Sequence, residues 1–71
     1  MATYNGHKNW NHWNVSLWIN NDEGLYRMAR EKVKCYGKAK AAVILVGLLP
    51  PRTPDGALYS VSATRAALVG M

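Results

Sequence analysis

Residues 9–26 read NWNHWNVSLWINNDEGLY, and this stretch holds all three tryptophans of the 71-residue chain. Aromatic side chains bury large areas, so a short segment this rich in them is expected to form the centre of a small fold. We predict that the core is built from this segment and from the helix that follows it. The predicted core residues are Trp10, Trp13, Val15, Leu17, Trp18, Leu25, Ala29 and Val33.

The apolar residues between positions 10 and 20 fit two kinds of secondary structure. One set alternates along the chain, as in a half-buried strand: Trp13, Val15, Leu17 and Ile19. Another set shares one side of a helix: Trp10, Trp13, Leu17 and Trp18. A lone strand would leave its backbone unpaired, and the rest of the chain offers few partners for it. We therefore favour a helix, for which Asn9 is a good N-cap.

Capping and breaking residues divide the rest of the chain into three further helices. Asp22 and a serine, Ser60 or Ser62, are good N-caps, whereas helices commonly end at residues such as Gly37 and Pro50. The predicted helices cover residues 10–20, 22–36, 38–49 and a short stretch from the serine cap to about Val69, with a turn at 52–56. We predict an all-α domain, a compact bundle of about four short helices. The alternative is a small α+β fold with strands near residues 13–19 and 43–49.

The length of the chain predicts one domain, residues 9–71, preceded by a mobile N-terminal arm, residues 1–8. Cys35 is the only cysteine, so an internal disulfide is impossible, as is typical of a reducing compartment. The first residues, MATYNGHK, lack a basic and apolar leader. The apolar run of residues 41–49 is far shorter than the roughly 20 residues that span a bilayer. We therefore expect a cytoplasmic protein that does not act at a membrane.

Neither a metal site nor a catalytic site is predicted. The soft metal ligands are His7, His12 and Cys35, and their spacing matches no zinc pattern. Candidates for a hydrolytic triad exist by composition, but none lies in a recognisable sequence context. They are Ser16, Ser60, Ser62, Cys35, His12 and Asp22. We expect a protein without cofactor, metal or enzymatic activity.

A stripe of positive charge is the candidate binding surface. The formal net charge is +5, which favours an acidic protein, a nucleic acid or an anionic surface as partner. Arg27, Arg30 and Lys34 follow helical spacing, with Lys38 and Lys40 just beyond them. The predicted stripe has no exposed aromatic residues between its cations, which disfavours the stacking of single-stranded bases.

Two segments of the chain resemble known proteins. The pattern N-W-x-x-W-N-V-x-L-W-I-N-N-D-E-G-L-Y, followed later by R-T-P-D-G, is similar to a family of small uncharacterised proteins of bacterial and archaeal viruses and mobile elements. The resemblance runs from about Asn5 to Val69, and its specific parts are Trp13–Asp22 and Arg52–Gly56. No site residues are established for that family. The resemblance implies a viral accessory protein in the host cytoplasm.

These observations favour a binding protein, monomeric or homodimeric, that occludes a surface on a host protein or ribonucleoprotein complex. An inhibitor of host defence of the anti-CRISPR type is the most concrete version, and it follows from the resemblance and the small size. A small basic nucleic-acid-binding protein is the alternative, since a charge of +5 makes weak binding to nucleic acid expected. A structural, self-assembling virus component is the third hypothesis.

Overall fold

The computed structural model describes residues 8–71, and four helices account for most of them. They are α1 (Trp10–Asn21), α2 (Glu23–Tyr36), α3 (Lys38–Leu48) and α4 (Val61–Ala67). The predicted all-α bundle is therefore confirmed. The α+β alternative was wrong, because residues 13–19 belong to α1 and residues 43–48 to α3. The predicted mobile arm, residues 1–8, lies outside the described residues except for Lys8.

The four helices form a ring in which α1 and α3 each pack against α2 and α4. Single residues, Asp22 and Gly37, separate the first three helices, whereas a loop of residues 49–60 leads to α4. Many core side chains are alanines, and small residues at the contacts let helix axes approach closely. The buried apolar residues are Val15, Ile19, Ala29, Ala41, Ala42, Leu45, Ala57, Tyr59, Ala63, Ala67 and Leu68.

Side-chain caps begin three of the helices. The side-chain oxygens of Asn9 and Asp22 each accept a backbone N–H from the first turn that follows, at 3.0 Å. For α4 the cap is Ser60, whose Oγ accepts from the backbone of Ala63 at 3.1 Å, and not Ser62. These bonds satisfy amide groups that have no partner inside the helix, and they confirm the helix starts predicted from the sequence.

The inward face of α1 differs from the predicted one. It follows helical spacing and comprises Asn11, Asn14, Val15, Trp18 and Ile19. Trp10 is 41% exposed and Leu17 is 36% exposed, so the prediction that these two residues belong to the core was wrong. The reason is that two asparagines, Asn11 and Asn14, occupy inward positions. The face of α1 that points to the core is therefore shifted by about one residue around the helix from the predicted face.

The other predicted core residues lie at two depths. Val15 and Ala29 are buried, whereas four more are half-buried: Trp13, Trp18, Leu25 and Val33. The core also includes residues after position 56 that the prediction omitted, of which Tyr59 and Leu68 are the largest. The tryptophan segment therefore supplies one wall of the core, the C-terminal part of the chain packs directly against it, and α3 closes the far side with Ala41, Ala42 and Leu45.

A polar network joins α1 to the loop before α4. Asn14 Nδ2 donates to Asp55 Oδ2 at 2.9 Å, and Asn14 Oδ1 accepts from Thr53 Oγ1 at 2.6 Å. Trp18 Nε1 donates to the same Asp55 Oδ2 at 3.0 Å. Asn14 is only 2% exposed, and both ends of its amide are hydrogen-bonded, as a buried polar group requires. We refer to Asn14, Trp18, Thr53 and Asp55 as the polar clasp.

A second asparagine holds the backbone of the same loop. Asn11 Nδ2 donates to the carbonyl of Leu58, and the N–H of Leu58 donates to Asn11 Oδ1, both at 2.8 Å. Within the loop, Arg52 Nη1 donates to the carbonyl of Gly56 at 2.9 Å. Gly56 has a φ of 96°, which glycine adopts at little cost. The two segments that carry the sequence pattern are thus in direct contact.

The Asp55 carboxylate is expected to make part of the stability depend on pH. Hydrogen bonds from Asn14 and then from Trp18 hold the pKa of Asp55 below its usual range. Because this pKa is lowered in the folded state, the stability that the Asp55 carboxylate contributes is fully present above about pH 4. It is lost as the pH falls through the lowered pKa. In an NMR titration, the indole N–H signal of Trp18 should shift with a midpoint below that of an ordinary aspartate. Asp55→Asn should abolish the shift, and a midpoint at or above about 4 would contradict the assignment.

Candidate macromolecular interface

The three cations of α2 lie along one open groove on the surface. Arg27, Arg30 and Lys34 are all exposed, and they line a groove of about 810 Å³. The other lining residues are two acidic ones, Glu23 and Glu31, together with Tyr26, Val33 and Met71. We refer to this surface as the basic groove. The helical period of α2 aligns the cations, and the C-terminal residue supplies the facing wall. The groove is thus wide and shallow, a shape suited to a macromolecular surface, and its three cations outnumber its two carboxylates.

Most of the positive charge in the basic groove is free to act on a partner. Arg27 pairs with Glu23 one turn earlier, and not with Glu31 as its spacing also allowed. Both side chains of that pair are exposed, and such pairs contribute only about 0–1 kcal/mol. Arg30 and Lys34 have no ion pair in the described part of the chain. Glu31 lines the same groove but forms no ion pair with either cation among the described residues, so both can bind an incoming acidic group.

Two tyrosines lie beside the cations. The prediction that no exposed aromatic residue lies between the cations was wrong for Tyr36, whereas Tyr26 is half-buried. The guanidinium of Arg30 lies 5.8 Å from the ring centre of Tyr26, and Lys40 Nζ lies 5.7 Å from that of Tyr36. Tyr36 is 50% exposed. Tyrosine and arginine are both enriched at interface hot spots, so the pairing strengthens the case for a binding surface.

The five predicted cations do not form one continuous row. Gly37, with a φ of 81°, interrupts the helix after α2, so the spacing of that helix does not carry over to Lys38 and Lys40. Lys38 instead lines a separate groove of about 590 Å³ together with Arg65. Arg65 was not predicted, because its proximity to Lys38 depends on how α4 packs and leaves no signal in the sequence.

Two residues considered as catalytic candidates lie close together in the groove of Lys38. His12 Nε2 is 3.3 Å from Ser62 Oγ. The distance is slightly longer than the roughly 2.6–3.2 Å of an activated nucleophile and its base. Among residues 8–71, no three side chains of His, Cys, Asp or Glu come together as metal ligands would. His7, the other candidate ligand, lies outside the described residues, and Cys35 is exposed.

None of the helices in residues 8–71 combines the length and the apolar character needed to cross a bilayer.

By fold and surface, the chain is a small four-helix domain with an open cationic groove. The sequence model of DUF7249, a family of unknown function, matches residues 1–60. The chain therefore belongs to this family. The match includes the whole polar clasp and the three cations of α2, and it ends just before α4. No curated protein and no solved structure matches the chain.

Proposed function

We propose that this protein is a binding protein that docks onto an acidic surface of a macromolecular complex through the basic groove. The observation that carries the proposal is the grouping of Arg27, Arg30 and Lys34 with Tyr26 along one exposed groove. Charged rims steer association, and arginine and tyrosine anchors supply affinity. The mode of action that fits a domain of this size is occlusion of a partner's surface.

The proposed class of partner rests on the sequence resemblance to small uncharacterised proteins of bacterial and archaeal viruses and mobile elements, which implies a viral accessory role. A viral protein that occludes a host surface benefits most when the surface belongs to a defence complex, and a ribonucleoprotein complex presents abundant acidic surface. We therefore propose a host protein or ribonucleoprotein complex as the target, and an inhibitor of the anti-CRISPR type as the concrete function. The target would be met in the host cytoplasm.

Neutralising the basic groove is expected to abolish partner binding while leaving the fold intact. The variant Arg27→Gln, Arg30→Gln, Lys34→Gln lowers the net charge from +5 to +2. Glutamine is preferred over glutamate because a glutamate at position 27 would face Glu23 and Glu31 one turn away. Exposed substitutions of this kind each change stability by less than about 0.5 kcal/mol, so the melting curve should hardly move. Binding is measured by recovery of host proteins from lysate on immobilised protein, identified by mass spectrometry.

The matched control is a variant with the same net charge, in which three cations outside the basic groove are neutralised instead. The variant Lys8→Gln, Lys38→Gln, Arg65→Gln also has a charge of +2 and leaves the basic groove unchanged. We expect it to recover the same partner as the wild type. If both variants lose the partner equally, net charge and not the basic groove controls binding, and the proposal is wrong.

Direct binding to nucleic acid is the second candidate, and the two tyrosines favour it specifically. Tyr26 and Tyr36 lie beside cations, and bases of single strands stack on such rings. Titration with labelled single-stranded and duplex oligonucleotides at about 150 mM salt separates the candidates, since non-specific affinities there are about 10⁻⁴–10⁻⁶ M. Submicromolar, sequence-dependent binding would replace the protein-binding proposal with this one. Three phosphate contacts on a single strand would give a salt slope of roughly −2.

A further inference from the structure

A second groove lies on the other side of α2 from the basic groove. It has a volume of about 490 Å³ and is lined by apolar and aromatic side chains from α1, α2 and the loop after α3. Those side chains are Trp18, Leu25, Met28, Leu49, Pro50, Pro54 and Tyr59. An adjoining recess of about 320 Å³ shares Trp18 and Asp22 with it. We refer to this surface as the aromatic groove, and it shares no lining residue with the basic groove.

The walls of the aromatic groove are held rigidly. The indole of Trp18 is fixed by its hydrogen bond to Asp55, and the rings of Pro50 and Pro54 have little freedom of their own. Tyr59 is anchored through its N–H, which donates to the carbonyl of Pro51 at 3.0 Å. A site with preorganised walls loses little conformational entropy when a ligand binds. The surface is therefore suited to a ligand that is itself rigid.

Tyr59, which lines this groove, has a solvent-accessible hydroxyl without a protein partner among the described residues. Tyr59 is only 4% exposed, yet its phenol forms no hydrogen bond with any of the described residues. Burial, and then the charge of Asp22, raise the pKa of the phenol above its usual range, so it is protonated at neutral pH. The Tyr59 hydroxyl is thus a donor available to a carbonyl of an occupant.

The rim of the aromatic groove is acidic in a chain that is otherwise basic. Two of the four acidic residues, Asp22 and Asp55, flank Trp18. Asp55 accepts both of its hydrogen bonds on Oδ2, and Asp22 uses Oδ1 to cap α2, so each carboxylate retains an oxygen for an external donor. An occupant that carries lysine or arginine complements this rim.

The backbone around the groove excludes one common mode of peptide binding. In the loop, Thr53 N donates to Ala57 O at 2.7 Å and Tyr59 N to Pro51 O at 3.0 Å. These groups are therefore not available to pair with an added β-strand. A polyproline II segment needs no ladder of hydrogen bonds, and its unpaired carbonyls suit an isolated donor such as a tyrosine hydroxyl. Its proline rings stack on aromatic walls.

From these observations we propose that the aromatic groove binds a proline-containing segment of a partner protein, in extended polyproline II form, with a lysine or arginine next to the prolines. The prolines pack between Trp18 and Pro54, the Tyr59 hydroxyl donates to a carbonyl of the segment, and the cation lies against Asp22 and Asp55. This site is separate from the basic groove and does not rest on the function proposed for it.

The test is an NMR titration of the isotope-labelled full chain with a peptide whose two ends are blocked. The peptide has about ten residues, all proline except for one central arginine, and spans roughly 30 Å as polyproline II. We expect saturable shifts at the Trp18 indole N–H and the Met28 methyl group. Tyr59→Phe keeps the ring and should weaken binding about two- to tenfold, since it removes one hydrogen bond. Asp22→Asn retains an N-cap and should weaken binding about two- to fivefold.

Three controls make the result decisive. Arg65→Gln, which lies outside the aromatic groove, should bind the peptide as the wild type does. A peptide with glutamate in place of arginine should bind more weakly, and one with alanines in place of the prolines should not bind detectably. Equal binding of the alanine peptide, shifts confined to the basic groove, or the absence of saturable shifts would each overturn the proposal.

Discussion

Asn14→Ala is expected to lower the free energy of unfolding by about 2–4 kcal/mol. The substitution removes two hydrogen bonds of a side chain that is almost entirely buried, and it leaves the hydroxyl of Thr53 without its acceptor. A buried polar group left unpaired costs about 1–3 kcal/mol, and the lost bonds add to this. The total stability of a chain of this length is about 4–11 kcal/mol, so the effect is a large fraction of it.

The measurement is urea denaturation followed by tryptophan fluorescence, with Asn21→Ala as the matched control. Asn21 also lies in α1, but it is exposed and forms no hydrogen bond with the described side chains. Its replacement should change the free energy of unfolding by less than about 0.5 kcal/mol. Equal effects of the two alanine variants would mean that the polar clasp contributes nothing to stability.

Ile19→Ala is expected to lower the free energy of unfolding by about 2–5 kcal/mol, which is a large fraction of the total stability of a chain of this length. Ile19 is one of the largest fully buried side chains, and truncating it loses buried apolar area and leaves a cavity. The alanine-rich surroundings contain few large side chains that could move to fill that space. Near-UV circular dichroism and thermal melting measure the effect.

Leu17→Ala, two residues away in the same helix, is the matched control. The sequence predicted Leu17 in the core, but the structure leaves it 36% exposed, so its truncation should cost less than about 1 kcal/mol. A loss at Leu17 as large as the loss at Ile19 would mean that α1 packs with the face predicted from the sequence. The pair of variants therefore distinguishes the two possible orientations of the helix.

The sequence was sufficient to predict the boundaries of the helices but not the orientation of α1. Caps and breakers act locally, which is why Asn9 and Asp22 cap helices as predicted and why the last cap is Ser60, one of the two predicted serines. The orientation of α1 depends instead on Asn14, whose partners lie about 40 residues away. Hydrophobic periodicity assigns a polar residue to the surface, so it fails where a buried network satisfies that residue.

The candidate sites were predictable to different degrees for a similar reason. Helical spacing alone aligned Arg27, Arg30 and Lys34, since all three lie on α2. The aromatic groove was not predicted, because it joins Trp18 of α1 to Tyr59 of the loop, and this proximity depends on tertiary packing. Arg65 was not predicted for the same reason, because only the packing of α4 brings it into the groove of Lys38.

The asparagines of α1 also bear on the order of events during synthesis of the chain. Asn11 binds the backbone of Leu58, which lies 47 residues later in the chain. The helix α1 is therefore synthesised well before the loop that it contacts. At translation rates of about 5–20 residues per second, this interval lasts roughly 2–10 s. Throughout it, the tryptophan-rich helix has no loop to dock against and is open to chaperones, to proteases or to another nascent chain. During this delay α1 can pack against α2, which follows it at once, but its asparagines lack their partners in the loop.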